Sequence, residues 1–420
     1  MTPLFSVIIP AYNSDKYLLE TLNSVLKQKF LKKKYEIIII NDCSTDKTGS
    51  IVKIFRKKFE NIRVINNQKN QGVAFCRNIG IKNAKGTYLI FLDSDDELKN
   101  NSLLKIEKIL SKQYYDLILC LEFKSNKLRI NPKAIRQLDT VDSFIAYENK
   151  ERIYNPYCWN MILNRSFLQK KKITFKKINI YEDQVFCTEV LFSVKKIKII
   201  PGSFYKYIMR PLSLSRQTNY SALVSCLHAL MNFFQIIKNL KLTNEKNIFI
   251  QNRINFIINI INKYAAICNL SQIKKISSIY KKFTKKIDIK NSPFYNNFFS
   301  ISNLGNLRKK IIFKIKNYKF QDFDKIYIFG FGLSGRTIFH VLKNQKVKVD
   351  SFVDSEKKFL DTKYFGIKII SPQSLRLKIN QANLKSLVII SVTEKKVLKF
   401  IIKKLKDFGF KNRNIKILDI

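Results

Sequence analysis

Two groups of carboxylates stand out in a chain that is otherwise strongly basic. Asp42 and Asp46 lie in one turn, and Asp93, Asp95 and Asp96 lie within four consecutive residues. Carboxylates this close repel one another unless a cation or hydrogen-bond donors lie between them. Mg²⁺ and Mn²⁺ prefer carboxylate oxygens and commonly bridge them to substrate phosphates. The residue types and their spacing therefore predict a divalent metal site that holds a phosphorylated ligand.

Each group of acids directly follows a predicted buried strand, at residues 36–40 and 88–92. Because ligands bind beyond the carboxyl ends of parallel strands, we expect both groups to face one crevice. Turn formation and helix capping also favour Asp after a strand, and they are the better explanation for Asp46 alone. The other elements predicted from hydrophobic periodicity are strands at 5–9 and 63–65 and helices at 16–29, 48–59 and 73–83. The pattern indicates an α/β fold with a parallel sheet that is covered on both faces.

The segments around these acids resemble, in order and spacing, the signatures of glycosyltransferase family 2. They are FSVIIPAYN at residues 5–13, NDCSTD at 41–46, NQG at 70–72 with Arg77 and Asn78, and FLDSDD at 91–96. The resemblance covers about the first half of the chain. It implies the GT-A fold, a single nucleotide-binding α/β domain, and transfer of a sugar from a nucleotide diphosphate donor with inversion at the anomeric carbon.

The resemblance also implies roles for residues on the nucleoside side of the donor. Pro10, Ala11 and Tyr12 are expected to line the base and ribose pocket. Asp42 is expected to accept a hydrogen bond from the base, usually uracil. Cys43 departs from the family, which typically has Gly there, and a turn that needs a positive φ would be strained at a cysteine.

On the diphosphate side, the resemblance implies that Asp93 reaches the ribose and that Asp95 ligates the Mg²⁺ or Mn²⁺ cofactor. Arg77 is expected near the nucleotide, where its positive charge suits a diphosphate. Arg210 and Tyr207 lie in a segment similar to the one that closes over the diphosphate in the family. Ordinary surface positions are the alternative interpretation of these last two residues.

An inverting transfer needs a general base that takes the proton of the acceptor hydroxyl. The chain has only two histidines, His228 in a helical segment and His340 in the distal part, so a carboxylate must serve. Glu182 and Asp183 open an apolar helical run and resemble the Glu-Asp motif of the family, whose Asp is the proposed base. Asp183 is therefore assigned as the base, with Glu182 as the alternative and helix capping as the structural explanation of both.

A second glycine-rich motif lies near residue 330. Gly330, Gly332 and Gly335 follow a predicted strand and open a helix, and the next strand ends at Asp354. Such glycines let the backbone approach phosphate at a helix N-terminus, and an acid at the next strand end meets ribose hydroxyls. The segment resembles small Rossmann-like nucleotide-binding domains. A true second nucleotide site and a scaffolding role remain equal alternatives.

The 420 residues, 46% hydrophobic and 26% charged, fit a folded protein of two or three domains. The predicted organisation is a GT-A domain at 1–220, a helical connector at 221–303, a basic linker at 304–324 and a Rossmann-like domain at 325–420. The seven cysteines form no CxxC pair, which argues against a disulfide framework and favours a reducing, cytoplasmic location. The N-terminus lacks the pattern of a signal peptide, and no run approaches the ~20 apolar residues that cross a bilayer.

The formal net charge is +47. A diffuse Lys, Asn and Ile bias explains this charge as well as contact with the anionic inner face of the plasma membrane does, and the two stay alternatives. No specific nucleic acid partner is expected, because no recognised binding module is present. The leading hypothesis is therefore a family 2 transferase of surface polysaccharide assembly, such as lipooligosaccharide, capsule or teichoic-type polymer. It would use a UDP-sugar donor and a glycan or lipid-linked glycan acceptor. The alternative is a nucleotide-sugar oxidoreductase or epimerase that uses the C-terminal unit.

Overall fold

The chain divides into two compact units. A computed structural model describes residues 2–121, 134–135, 137–151, 154, 156–209, 220–238, 243–265, 271–272, 275, 278–279, 311, 320–331, 333–355, 360–380, 385–391, 395–410 and 415–417. The first unit comprises Met1–Gln217 with Ser225–Ile254, and the second comprises Thr218–Val224 with Asn255–Ile420. The predicted residues Arg210 and Gly332, and most of the predicted linker 304–324, lie outside the described residues.

The first unit alternates strands and helices, as the hydrophobic periodicity predicts. Its strands are β1 (Phe5–Ala11), β2 (Tyr35–Asn41), β3 (Ile62–Asn66), β4 (Tyr88–Phe91), β5 (Glu97–Leu98), β6 (Leu117–Leu121), β7 (Met161–Asn164), β8 (Ile197–Pro201) and β9 (Tyr205–Lys206). Its helices are α1 (Leu18–Leu26), α2 (Thr48–Lys58), α3 (Val73–Asn83), α4 (Ser102–Leu110), α5 (Val141–Glu151), α6 (Arg165–Lys171) and α7 (Glu182–Ser193).

A seven-stranded sheet organises this unit in the order β3-β2-β1-β4-β7-β6-β8. β1, β2, β3 and β4 are parallel, whereas β7 runs antiparallel to both of its neighbours. Every residue of β1 and β2 is buried, because helices cover both faces of the sheet and leave no solvent-facing side. The carboxyl ends of β1, β2 and β4 consequently lie side by side at one edge, directly before the predicted acidic residues.

The helical segment after residue 220 differs from the predicted connector. Its two described helices are α8 (Tyr220–Lys238) and α9 (Asn244–Ala265). The part of α9 up to Ile254 packs with the first unit, because the Phe249 ring stacks 6.4 Å from that of Tyr154 and Arg253 pairs with Glu148. The first compact unit thus includes residues 225–254 and extends beyond residue 220, where the GT-A domain is predicted to end.

The second unit contains a six-stranded sheet in the order β12-β13-β11-β10-β14-β15. All neighbours are parallel except β12 and β13. The order places the chain reversal between β10 and β14, as in a doubly wound sheet. The elements are β10 (Lys325–Phe329), α10 (Leu333–Asn344), β11 (Ser351–Val353), β12 (Lys363–Tyr364), β13 (Ile367–Ile370), α11 (Pro372–Asn380), β14 (Ser386–Ile390), α12 (Lys395–Asp407) and β15 (Ile415–Ile417).

Among the described residues, one helical segment is long and apolar enough to cross a membrane. It is Tyr220–Ile237 in α8, with a mean hydropathy of 1.4. Half of this segment is buried inside the protein, which is also the behaviour of a core helix. The segment had not been predicted from the sequence, because its apolar residues follow helical spacing and do not form one continuous run.

Candidate functional site

Asp42 organises the loop that follows β3. Its carboxylate is 2% exposed and accepts hydrogen bonds from the backbone N–H groups of Gln71 (2.9 Å) and Gly72 (2.8 Å) and from the side-chain amide of Asn67 (2.7 Å). Three donors on one carboxylate fix the loop beside the end of β2. The predicted bond from Asp42 to a nucleotide base stays a prediction, and it would use the remaining acceptor capacity of these two oxygens.

The end of β1 carries the residues that were predicted to line the base pocket. Pro10 and Ala11 are buried in the strand, whereas the Tyr12 side chain is 49% exposed just beyond it. The hydroxyl of Ser14 lies 2.7 Å from that of Ser94, which joins the end of β1 to the acidic loop after β4. Tyr12 is therefore the member of this group that is placed to meet a ligand in solvent.

Cys43 adopts a φ of 60° in the turn after β2. This left-handed conformation favours glycine, and a side chain there costs roughly 1–2 kcal/mol. The strain predicted from the departure at this position is thus present in the backbone. Its thiol donates a long hydrogen bond of 3.5 Å to the carbonyl oxygen of Gln68, so the cysteine also contacts the loop held by Asp42.

The three acids after β4 separate into three environments. Asp93 is paired with Arg77 through Oδ1 at 2.8 Å, and its side chain remains 30% exposed. Asp95 is partly exposed, while Asp96 points inward and is buried. The Asp96 carboxylate accepts hydrogen bonds from the Tyr205 hydroxyl (2.5 Å) and the Ile208 backbone N–H (2.7 Å). Burial raises the pKa of Asp96 to about 7, and the bond from Tyr205 opposes that rise.

Tyr205 fastens the acidic loop to β9. Its ring stacks on Trp159 with centroids 4.4 Å apart, and its hydroxyl also accepts a bond from the Asp93 backbone N–H at 3.3 Å. Tyr157 also stacks on Trp159, with centroids 4.9 Å apart. Trp159 is 9% exposed and belongs to the hydrophobic core, so it has little surface left on which a sugar could stack.

Tyr205→Phe is expected to lower the free energy of unfolding by about 1.5–3 kcal/mol, because it removes a hydrogen bond to a buried carboxylate and keeps the aromatic stack. Denaturant unfolding followed by circular dichroism measures this change. Tyr12→Phe, at an exposed ring, is the control and should leave stability unchanged. An equal loss in both variants would mean that the Tyr205 hydroxyl contributes nothing specific.

Arg77 joins the acidic loop to the start of α7. Its Nη2 lies 2.8 Å from Asp93 Oδ1 and its Nη1 lies 2.6 Å from Glu182 Oε1. The guanidinium also lies over the ring of Phe175, 5.3 Å from its centroid. Arg77 is only 4% exposed, so the structure places it inside the protein between two carboxylates. The sequence predicts Arg77 near the nucleotide and gives no sign of its pairing with Glu182, 105 residues away.

Asp183 is the unpaired acid of the Glu-Asp motif among the described residues. It lies in the first turn of α7, and its Oδ1 accepts a bond from the Gln184 backbone N–H at 2.8 Å. Burial raises the pKa of Asp183 well above its usual value, the neighbouring charge of Glu182 raises it further, and Arg77 opposes both. Within the motif, Glu182 forms an ion pair with Arg77, whereas Asp183 can accept a proton.

The family model for glycosyl transferase family 2 matches residues 6–179. This range contains β1 to β4 and the acids at their ends. The chain carries a family 2 glycosyltransferase domain. The prediction of an α/β protein with an N-terminal GT-A domain is therefore confirmed.

Two curated relatives of the family 2 domain are named as transferases that act on poly(ribitol-phosphate). The chain is 31% identical over 205 residues to poly(ribitol-phosphate) beta-N-acetylglucosaminyltransferase TarS of Staphylococcus aureus, covering 48% of this chain and 35% of that protein. It is 34% identical over 212 residues to the poly(ribitol-phosphate) beta-glucosyltransferase of Bacillus spizizenii, covering 49% of this chain and 32% of that protein. The chain thus spans about a third of the length of these two curated relatives.

The fold agrees with these sequence matches. The crystal structure of S. aureus TarS residues 1–349 is similar with a TM-score of 0.51 and 24% identity, covering 75% of this chain and 92% of that chain. The similarity supports the GT-A-like architecture of the first unit.

The acids after β4 can be compared with the ligand set that the predicted Mg²⁺ or Mn²⁺ requires. No group of three or more His, Cys, Asp or Glu side chains is placed to hold a metal within the described part of the chain. Mg²⁺ is typically held by one or two carboxylates, with substrate phosphates and water completing its shell. Asp95, partly exposed beside Asp93, fits that arrangement, whereas the inward-facing Asp96 does not.

The second predicted nucleotide site lies in the other unit. Gly330 has a φ of 99°, and a Cβ on Gly335 would lie 1.8 Å from the Gly330 carbonyl oxygen, so both positions require glycine. The Asp354 carboxylate accepts a bond from the Phe331 backbone N–H at 2.7 Å. This bond holds Asp354 against the glycine loop. Ligand binding at Gly330, Gly335 and Asp354 stays a prediction.

Proposed function

We propose that this protein is an inverting glycosyltransferase that moves a sugar from a UDP-sugar to a hydroxyl of a cell-surface glycan. One observation carries the proposal: a single guanidinium, that of Arg77, joins Asp93 at the end of β4 to Glu182 at the start of α7. The guanidinium thereby holds Asp93, which the family resemblance connects with donor binding, close to the Glu-Asp motif, which the resemblance connects with proton transfer. The family 2 match over residues 6–179, which contains Asp93 and ends before Glu182, supports the transferase activity.

Asp183 is proposed as the general base. As the acceptor oxygen bonds to the anomeric carbon, its proton passes to the Asp183 carboxylate. The bond from that carbon to the diphosphate oxygen breaks on the opposite side, and its electron pair leaves with the diphosphate. A carboxylate whose pKa is raised by burial is a stronger base than an exposed one, which suits this role. Glu182, bound to Arg77, is less available.

Asp95 is proposed to hold Mg²⁺ or Mn²⁺, which would neutralise charge on the leaving diphosphate. The partly exposed Asp93 is proposed to face the ribose, and Tyr12, exposed at the end of β1, to contact the base. Asp42 is proposed to orient the base while it holds the loop that contains Gln71 and Gly72.

The acceptor is proposed to be a surface polymer assembled at the inner face of the plasma membrane. Two relatives are named for transfer to poly(ribitol-phosphate), a polyanion. A net charge of +47 favours contact with such a polymer and with anionic lipid. The six cysteines in the described part of the chain are all free thiols, as expected in a reducing cytoplasm.

A transfer assay tests the proposal. The purified chain is incubated with Mn²⁺ and, in turn, UDP-N-acetylglucosamine, UDP-glucose and GDP-mannose, with poly(ribitol-phosphate) either free or anchored in anionic vesicles. We expect UDP release that depends on the acceptor, with a faster rate on the vesicle-bound polymer.

The outcomes separate the parts of the proposal. Equal rates on free and anchored polymer would remove the membrane part and leave the transferase intact. Turnover of GDP-mannose alone would overturn the choice of UDP. A folded protein that transfers no sugar from any donor would overturn the function, and NAD(P) binding at Gly330 to Gly335 would then be measured to test the oxidoreductase alternative.

A further inference from the structure

Arg77 lacks the exposure that a diphosphate ligand needs. Its side chain is 5% exposed, and its two terminal nitrogens contact Glu182 and Asp93. Phe175 covers the guanidinium, and the Phe175 ring stacks in turn on that of Phe186 in α7, with centroids 3.8 Å apart. A planar guanidinium can bridge two carboxylates in fixed directions, which an ammonium group cannot do. The contacts therefore hold the start of α7 against the end of β4.

The same contacts make two neighbouring carboxylates unequal. Glu182 is fixed by Arg77 at 2.6 Å, whereas the hydrogen bond to Asp183 comes from the Gln184 backbone. Burial raises the pKa of Glu182, and the charge of Arg77 opposes this rise. The negative charge of Glu182 in turn raises the pKa of Asp183.

We propose that Arg77 is a positioning residue that acts through Glu182: it fixes the start of α7 and leaves Asp183 as the acid that takes the acceptor proton. The inference rests on the proposed transferase function. It replaces the expectation that Arg77 contacts the nucleotide. Among the described residues, the buried Nε of Arg77 has no hydrogen-bond partner. The contacts with Asp93 and Glu182 are made by the two terminal nitrogens.

Glu182→Gln and Arg77→Lys test the proposal with little change in volume. Glutamine still accepts the bond from Arg77 but removes the negative charge beside Asp183, so the pKa of Asp183 should fall. The acidic limb of the kcat/KM profile should therefore move to lower pH by about one unit. Arg77→Lys keeps the charge and loses the bridge, so kcat should fall by about 10–100-fold while the KM for the UDP-sugar changes less than tenfold.

Two further variants complete the design. In the double variant Arg77→Lys/Glu182→Gln, kcat should fall no further than in Arg77→Lys alone, because Arg77 acts through Glu182. Arg253→Lys makes the same change at another Arg–Glu pair, in which Arg253 contacts the buried Glu148, and it should leave kcat and the pH profile unchanged. The titratable and charged groups that face the Glu182–Asp183 pair are Arg77, Asp93, Tyr154, Tyr157, Cys158 and Cys187.

The proposal would be overturned if the UDP-sugar KM rose tenfold or more in Arg77→Lys and kcat fell further in the double variant. Arg77 would then be a donor contact. If the wild type transfers no sugar, the proposed function fails, and the inference is decided separately by NMR titration of ¹³C-labelled aspartate. The carboxyl resonance of Asp183, assigned with Asp183→Asn, should then titrate at lower pH in Glu182→Gln. An unchanged titration would overturn the inference whatever the activity.

Discussion

Asp183→Asn is expected to lower kcat by about 10²–10⁴-fold, the contribution typical of a positioned general base. Asparagine keeps the shape and the bond to the Gln184 N–H, but its amide cannot take the acceptor proton at neutral pH. Because Asp183 is not placed on the donor, the affinity for UDP should be unchanged. Initial rates of UDP release and calorimetric titration with UDP measure the two effects separately.

Glu189→Gln is the matched control for this variant. Glu189 lies on the same helix and pairs with Lys176 at 3.1 Å, away from Arg77 and Asp93. It should retain wild-type kcat. If Asp183→Asn keeps activity within tenfold of the wild type while Glu182→Gln loses it, the base is Glu182 and the assignment of Asp183 is wrong.

Asp95→Ala is expected to weaken Mn²⁺-dependent binding of UDP by at least about 100-fold. Loss of a residue that supports a metal ligand typically lowers metal affinity by about 10–100-fold, and loss of a ligand itself should lower it at least as much. Calorimetric titration with UDP, in Mn²⁺ and again in a chelator, measures the effect. The wild type should bind more tightly in Mn²⁺ than in chelator, and the variant should bind equally weakly in both.

Glu97→Gln is the control for the metal prediction, because Glu97 is the neighbouring acid that pairs with Lys206 at 3.1 Å in the small β5–β9 sheet. It should keep metal-dependent binding. If Asp95→Ala still binds UDP more tightly in Mn²⁺ than in chelator, Asp95 is not the metal ligand, and Asp93 becomes the residue to test.

Local structure around the donor acids could be predicted from the sequence. The bounds of α3, Val73–Asn83, are as predicted, because Gly72 has a positive φ of 87° before the helix and the extended backbone of Ala84 ends it. β2 extends one residue beyond the predicted range at each end, to Tyr35 and Asn41. The apolar residues of the sequence predict only the centre of β2. Its two ends follow from the backbone pairing with β1, which runs from Tyr35 to Asn41.

The contacts that complete the site could not be predicted in the same way. Asp93, Asp95 and Asp96 have the same side-chain chemistry, and only the fold shows that Asp93 pairs with Arg77, that Asp95 is partly exposed and that Asp96 is buried. The sequence around Trp159 likewise gives no sign that the distant Tyr205 stacks on it. Periodicity reports the face on which a side chain lies, and it carries no information on a partner that is more than 100 residues away.

Two of these distant contacts set the order in which the site forms during synthesis. Asp96 binds Tyr205 across 109 residues, and Arg77 binds Glu182 across 105. At ~5–20 residues per second, the ribosome exposes Arg77 roughly 5–20 s before Glu182. A fragment that stopped at residue 179, the end of the family match, would keep Asp95 but leave both contacts unmade. A nascent chain can therefore make both contacts only once residues 182–208 have emerged.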